Sequence, residues 1–150
     1  MKKLLVAIAI LAGLAFAMTA WTQKSPQPNL VGTWEGSTVS HHKDRGHVQS
    51  AQYTFVIQEQ KGRIITGYKA WNLLGVDTTE AFSGVISRDG KKFYTAEHDD
   101  GFGFGDIISG TQIEVIYLES LNKPKVVLKM LKKTSDKPKP RVAAKTKNKK

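Results

Sequence analysis

The sequence has no cysteine among its 150 residues. Disulfide-stabilised folds, thiolate metal sites, cysteine nucleophiles and an N-terminal lipid-modified cysteine are therefore all excluded. It also lacks a Gly-x-Ser-x-Gly elbow and a His-Glu-x-x-His helix, so no catalytic signature indicates an enzyme and no cofactor is predicted. Helical spacing of apolar residues is almost absent between positions 30 and 133, where alternation and turn signals replace it.

The first twenty residues have the three-part pattern of a secretory signal. A short positive start precedes an apolar run at 4–16, and small residues at 15 and 17 suit a signal peptidase. The apolar run is too short for a bilayer span, which takes about 20 residues. We predict a signal peptide at 1–17, with position 20 as the second choice for cleavage, and an exported protein, periplasmic or extracellular, that is not a lipoprotein.

The basic charge of the chain is concentrated at its C-terminus. The net charge is +10, but residues 30–131 hold eleven Lys or Arg against twelve Asp or Glu, whereas residues 132–150 hold nine against one. We predict a disordered, lysine-rich tail at 134–150. The stretch Lys132–Lys150 is a candidate for attachment to an anionic polymer or a membrane surface, and a solubilising extension is the alternative. It contains no aromatic residue, so specific nucleic-acid recognition is not expected.

Short alternating segments joined by tight turns fill the middle of the chain. They cover residues 31–40, 52–59, 63–71, 81–87, 91–98, 103–109, 112–120 and 125–133. Short connections imply antiparallel neighbours, and closure of the sheet removes its exposed edges. We predict an all-β fold, an antiparallel up-and-down barrel of about eight strands over residues 30–133, after a linker at 18–29. A flattened two-sheet sandwich is the alternative.

The start of the first segment, Asn29 to Trp34, resembles the Gly-x-Trp opening of the calycin barrels, which include lipocalins, fatty-acid-binding proteins and avidins. The resemblance implies that Trp34 plugs one end of the barrel and that Gly32 lets the backbone turn tightly beside it. In lipocalins an Arg from a late strand covers this Trp. Lys129 and Lys132 are the late basic residues that could replace it here. The resemblance does not assign a subfamily.

A second stretch, Gly62 to Tyr68, resembles the hairpin between the second and third strands of avidins. In avidins a Tyr on the third strand and polar side chains on the first strand contact the ligand. The resemblance therefore implies Tyr68 and Ser40 as ligand-binding residues. Gly36 stands where avidins have an Asn, a departure that disfavours biotin.

An apolar stretch, Trp71 to Thr79, separates the third and fourth segments. Exposed apolar surface marks contacts, and barrel mouths are frequent ligand positions. We predict that Trp71, Leu73 and Leu74 contact a small apolar or amphipathic ligand in the barrel mouth, with the stretch as a lid over it. A loop that folds back over the barrel end, or that pairs protomers, is the alternative.

Three histidines lie within seven residues, and a fourth follows a later segment. His41, His42 and His47, with His98, are weak candidates for a metal site because imidazole suits zinc, copper or nickel. Basic residues between the first three disfavour a cation, and their spacing matches no zinc pattern. We therefore predict no metal.

Residues 98–106 contain adjacent carboxylates followed by alternating Gly and Phe. The ligand spacing of a calcium loop is missing. We interpret this stretch as a tight turn into a strand, with the glycines allowing bends and the phenylalanines packed on one face.

Together these patterns favour an exported, non-catalytic barrel that binds a small ligand. The alternative is a structural or interaction module that the basic tail attaches to anionic components of the cell envelope.

Overall fold

The computed structural model describes residues 27–73, 76–120 and 123–141. The predicted signal peptide at 1–17, most of the linker, Leu74 and the last nine residues of the predicted tail lie outside this part of the chain.

Eight antiparallel strands form a single closed barrel. They are β1 (Gly32–His42), β2 (Gly46–Lys61), β3 (Ile64–Leu73), β4 (Val76–Ile86), β5 (Lys92–Glu97), β6 (Phe102–Ser109), β7 (Gln112–Glu119) and β8 (Lys125–Ser135). Each strand pairs with the next, and β8 pairs with β1 to close the sheet. The all-β barrel prediction is confirmed, and the closed eight-stranded architecture is consistent with a calycin-like small barrel. In the described ranges, no helix is long and apolar enough to cross a membrane.

Two hairpins are longer than the sequence pattern predicted. β1 and β2 remain paired as far as His42 opposite Gly46, and β3 and β4 as far as Leu73 opposite Val76. The stretch predicted as a loop between Trp71 and Thr79 is therefore mostly strand. Its β-branched and aromatic residues suit a pleated sheet, which explains why β3 and β4 stay paired through most of this stretch.

One end of the barrel is filled with apolar side chains; we call it the closed end. Trp34 is fully buried there, and its indole nitrogen donates a hydrogen bond of 3.0 Å to the Leu30 carbonyl oxygen. Around Trp34 the interior holds a cluster of buried apolar residues: Leu30, Phe55, Ile57, Ile65, Phe82, Ile86, Phe93, Ile113 and Leu131. We call the opposite end, where β1 meets β2 and β7 meets β8, the mouth.

The basic residue beside Trp34 is neither of the two that the sequence suggested. Lys133 places its ammonium 5.4 Å from the centroid of the Trp34 ring. A register irregularity after Thr33 sets Lys133 opposite Trp34, whereas Lys132 lies opposite Glu35 on the outer surface. Lys129 lies deeper in the barrel.

The C-terminal segment covers part of the outer surface. After β8, residues 136–141 cross the outside of β1, β3 and β4. The Thr33 hydroxyl donates to the Lys137 carbonyl and accepts from the Lys139 amide, both at 3.0 Å. Thr33, Val56 and Tyr68 are buried beneath this segment or beside it. This arrangement differs from the disordered tail expected from residue 134 onward; we call this side the covered wall.

Candidate functional site

The mouth half of the interior is lined by charged and aromatic side chains. Side chains alternate across a strand, so residues two apart face the same side of a sheet. The strands that point apolar side chains into the core therefore also point side chains inward nearer the mouth. These inward residues, each on a different strand, are Tyr53, Lys69, Glu80, Glu97, Tyr117 and Lys129. All but Glu97 have less than a tenth of their surface exposed, and the Glu97 side chain is 1% exposed.

Lys69 bridges two carboxylates inside the barrel. Its Nζ lies 2.9 Å from Oε2 of Glu80 and 3.1 Å from Oε2 of Glu97, with the Lys69 side chain 4% exposed. The same ammonium lies 4.0 Å from the centroid of the Tyr117 ring. Burial raises the pKa of Glu97, against the opposing effect of the Lys69 charge. This bridge fixes the side chains of three strands around one cation.

Lys129 is a buried cation of a different kind. The residue is 2% exposed, and its Nζ lies 4.6 Å from the Tyr53 ring centroid and 4.9 Å from that of Tyr117. No carboxylate of the described chain lies within 4.0 Å of this ammonium. Burial, followed by the nearby charge of Lys69, lowers the pKa of Lys129 to about 7. Its contacts are thus with aromatic faces, which attract a cation less strongly than a carboxylate does.

Tyr53 places a buried donor beside Lys129. Its hydroxyl is buried and has no hydrogen-bond partner among the residues that the structure describes. Its ring stacks on Trp71, with centroids 6.3 Å apart and planes 14° from parallel. Burial raises the pKa of Tyr53 well above its ordinary value, so the hydroxyl keeps its proton and remains a donor.

An ion pair and a phenol lie at the rim of the mouth. Lys125 pairs with Glu119. The Tyr117 hydroxyl donates to the Asp100 carbonyl at 2.7 Å and is 3.0 Å from Oε2 of Glu119. Burial, with the neighbouring Glu119 carboxylate, raises the pKa of Tyr117 far above its ordinary value. Unlike Tyr53, this phenol is satisfied.

The structure places two of the predicted ligand residues in the mouth. Ser40 faces inward and is buried; its hydroxyl donates to the Val48 carbonyl at 3.1 Å and lies 3.0 Å from Nε2 of His42. Trp71 is half-buried beside Tyr53. Leu73 ends β3 without a described side chain, and Leu74 is outside the described residues.

Tyr68 lies apart from this group, on the covered wall. Its hydroxyl donates to the carbonyl oxygens of Lys139 at 3.0 Å and Pro140 at 3.1 Å. Tyr68 and Lys69 are adjacent in β3 and therefore point to opposite sides of the sheet. Burial raises the pKa of Tyr68. The structure does not bring Tyr68 together with Ser40 or Trp71.

The four histidines do not converge. His41 and His47 are cross-strand neighbours with ring centroids 4.9 Å apart, and His98 contacts the Ser83 hydroxyl at 3.1 Å. His42 contacts Arg45 at 2.9 Å, and burial lowers its pKa. Within the described part of the chain, no group of three or more His, Asp or Glu side chains could hold a metal ion.

A shallow depression also opens on the outer surface at the β1–β2 bulge. Glu35, Gly36, Gln52, Tyr53 and Thr54 line it. Its one charged group, Glu35, pairs with Lys139 of the C-terminal segment. The charge of this depression is therefore already neutralised by the chain itself.

Sequence reasoning missed the inward charges at Lys69, Glu80 and Glu97, and it expected Lys129 beside Trp34 rather than in the mouth. The sequence pattern does predict that these four side chains point inward, because each stands two or four residues from a core residue of the same strand. Lys129 precedes Leu131 and Glu80 precedes Phe82. Continuing the period of two from the apolar positions places all four charges inside.

Comparison with known proteins adds no further assignment: no family model, no curated protein and no solved structure matches the chain.

Proposed function

We propose that this protein is an exported, non-catalytic barrel that binds a small amphipathic ligand in its mouth. The observation that carries the proposal is the buried Tyr53 hydroxyl, which has no hydrogen-bond partner among the described residues. Beside it lies the Lys129 ammonium, which contacts aromatic faces and has no carboxylate of the described chain within 4.0 Å. We assign the polar end of the ligand to them.

The chemistry of the donors selects the polar group of the ligand. A buried donor without an acceptor costs about 1–3 kcal/mol, and more when it is charged. A carboxylate supplies two acceptor oxygens and a negative charge, so it satisfies both the ammonium of Lys129 and the hydroxyl of Tyr53. Hydrogen bonds to charged groups are also shorter and stronger than neutral ones.

Aromatic surface beside the donors suits the apolar part of the ligand. Trp71 is half-buried at the mouth and stacks on Tyr53. A ligand with its carboxylate at Lys129 would therefore run past the indole toward solvent. This orientation also makes Trp71 fluorescence a direct reporter of occupancy.

The test uses decanoate as the probe and decanol as its uncharged counterpart. Binding is measured by calorimetry and by tryptophan fluorescence at pH 6.5. Tyr53→Phe removes one hydroxyl, and Lys129→Met removes the ammonium while keeping the length of the side chain. The matched controls are Tyr94→Phe and Lys132→Met, because both residues lie on the outer surface.

We expect decanoate to bind more tightly than decanol and each mouth variant to weaken decanoate about tenfold or more, with the controls unchanged. Decanoate affinity should also fall above about pH 7, by up to tenfold per pH unit, because the free Lys129 amine must first take up a proton. Equal binding of decanol, or decanoate affinities that both mouth variants leave intact, would disprove the proposal.

Attachment through the basic tail is a second candidate function. The segment 136–141 is fixed on the covered wall, where Lys139 pairs with Glu35 and Nε of Arg141 lies 3.5 Å from the Thr79 hydroxyl. The lysines that follow therefore extend from a fixed point on the barrel. Binding to phosphatidylglycerol vesicles that weakens steeply with salt and disappears on truncation after Arg141 would support attachment. Equal binding by the truncated chain would reject it.

A further inference from the structure

The side of the barrel opposite the covered wall carries a row of exposed apolar side chains. The row crosses five neighbouring strands, and its members are cross-strand partners: Tyr94, Phe104, Ile116, Leu128 and Val39. Between 36% and 49% of each residue is exposed. The solvated face of an antiparallel sheet ordinarily carries polar residues, because apolar residues take the inward positions of each strand.

A second apolar row lies directly on the mouth side of the first. Phe102, Leu118 and Val126 are successive cross-strand partners, with Phe102 62% exposed and the other two 42%. Together with Met130, the two rows form one continuous surface, which we call the bare wall. Inward-facing glycines on β6 explain why the phenylalanines point outward: a Cβ on Gly105 would lie 2.2 Å from the Phe93 ring.

The bare wall has the size of one side of a stable protein interface. Its nine apolar side chains expose on the order of 700 Å², and each partner in a standard interface contributes about 800 Å². The largest apolar patches on monomeric proteins are about 300–600 Å². The wall also carries Tyr94, Phe102 and Phe104, and aromatic residues are enriched at interfaces.

The charged residues at the border of the bare wall favour a second copy of the chain over an acidic lipid surface as the partner. On the closed-end side, the neighbouring cross-strand row holds Lys92, Asp106 and Glu114, followed on β8 by Met130. Lys92 and Asp106 already form an ion pair. A border with one basic and two acidic groups gives no attraction to an acidic lipid surface. In a two-fold symmetric pair, the second copy is turned by half a rotation, so basic groups of one border can face acidic groups of the other.

We infer that the bare wall binds the bare wall of a second copy of this chain, forming a two-fold symmetric dimer. The first row lies near the symmetry axis, so Phe104 and Ile116 of the two copies are close together. The covered wall, which the chain's own segment 136–141 occupies, remains outside. The mouth is not part of this interface, so the inference does not rest on the proposed ligand.

The first test is the mass in solution, measured by sedimentation velocity between about 1 and 100 µM. The protein is produced from its complete coding sequence, so that any processing of residues 1–17 takes place. Phe104→Lys places a charge in the centre of the bare wall. Gln58→Lys is the matched control, because Gln58 is an exposed position of β2 away from the wall. Circular dichroism and thermal unfolding establish that both variants fold.

The second test exploits the absence of cysteine from the chain. A single cysteine in Ile116→Cys should form an intermolecular disulfide on mild oxidation, because the two copies bring this position together. Gln58→Cys should form no intermolecular disulfide under the same conditions, because this position lies away from the bare wall.

The expected result is a dimer that Phe104→Lys weakens more than about tenfold and Gln58→Lys leaves unchanged. A monomer at 100 µM would overturn the inference. A dimer that persists in Phe104→Lys, together with no disulfide crosslink in Ile116→Cys, would also overturn it. Binding of a monomer to phosphatidylcholine vesicles, lost in Phe104→Lys, would assign the wall to a lipid surface instead.

Discussion

The ammonium of Lys129 lies 4.6 Å from the centroid of the Tyr53 ring, deep enough in the barrel that Lys129 is 2% exposed. A charge in this position loses its hydration and gains only aromatic faces in return. The pKa of Lys129 falls to about 7 for that reason, with a further effect from Lys69. The folded barrel therefore carries a cation that destabilises it near neutral pH.

Lys129→Met should accordingly stabilise the protein. At pH 6 we expect the free energy of unfolding to rise by roughly 1–4 kcal/mol, as when well-packed apolar groups replace buried charges. Below about pH 7 the folded and unfolded chains both hold the Lys129 proton, so the penalty is complete. Between about pH 7 and 10 only the unfolded chain keeps it, so the wild-type protein gains stability and the advantage of the variant shrinks. Urea unfolding at pH 6, 8 and 9.5 measures this trend; an advantage that grows with pH would contradict it.

Lys69→Met should have the opposite effect. It leaves Glu80 and Glu97 buried without the cation they share, which costs about 3–5 kcal/mol at pH 7. The pKa of Glu97 is already raised by burial, so the folded variant takes up a proton more readily than the unfolded chain as pH falls. The loss should therefore be smaller at pH 5.

The control for Lys69→Met is Lys61→Met, which breaks an exposed ion pair of 2.9 Å with Glu59. That variant should unfold like the wild type in urea, because exposed pairs contribute little. Equal effects of the two substitutions would refute a structural role for the buried bridge.

Gly105→Ala should destabilise the barrel by about 1–3 kcal/mol or more. The added Cβ would lie 2.2 Å from two carbons of the Phe93 ring, and Phe93 is fully buried against Phe55. Gly110→Ala is the matched control, because nothing lies within 4 Å of its added Cβ. Thermal unfolding compares them. If both variants melt together, the close approach of Phe93 to β6 is not what excludes a side chain there.

Truncation after Ser135 should reduce the free energy of unfolding by about 2–4 kcal/mol, because it uncovers apolar surface around Tyr68 and Val56. Truncation after Arg141 keeps the docked segment and should leave stability unchanged. Urea unfolding of the two truncated chains separates the contribution of residues 136–141 from that of the charges beyond them. Equal stability of the two would show that the segment does not stabilise the barrel.

Most of the fold could be predicted because the turn residues and the alternation of apolar residues indicate the same strand boundaries. Asp89-Gly90 marks the β4–β5 hairpin, and Gly90 indeed has φ 71°. Gly62, with φ 59°, does the same between β2 and β3. The ends of the long hairpins were missed because His41 and His47 read as polar loop residues, although across an antiparallel pair they face each other.

The candidate site was harder to predict because charge suggests exposure. Residue type alone predicts exposed positions for Lys69 and Lys129, since lysine is almost never fully buried unless paired. Their inward position follows from the alternation of side chains along each strand, because Ile65 and Leu131 of the same strands point inward. This alternation outweighs the preference of lysine for exposed positions. The assignment of Tyr68 stays a prediction that the resemblance alone supports, since the strand turns its ring to the covered wall.

The seam between β1 and β8 joins the two ends of the domain: Thr33 pairs with Ser135, and Trp34 with Lys133. None of these pairs can form until the last strand has been synthesised, and contacts so distant in sequence slow folding. Until then β1 and β7 are open edges that invite pairing with other chains. For a chain exported through the predicted signal peptide, the barrel would therefore be sealed only after its C-terminus had left the translocation channel.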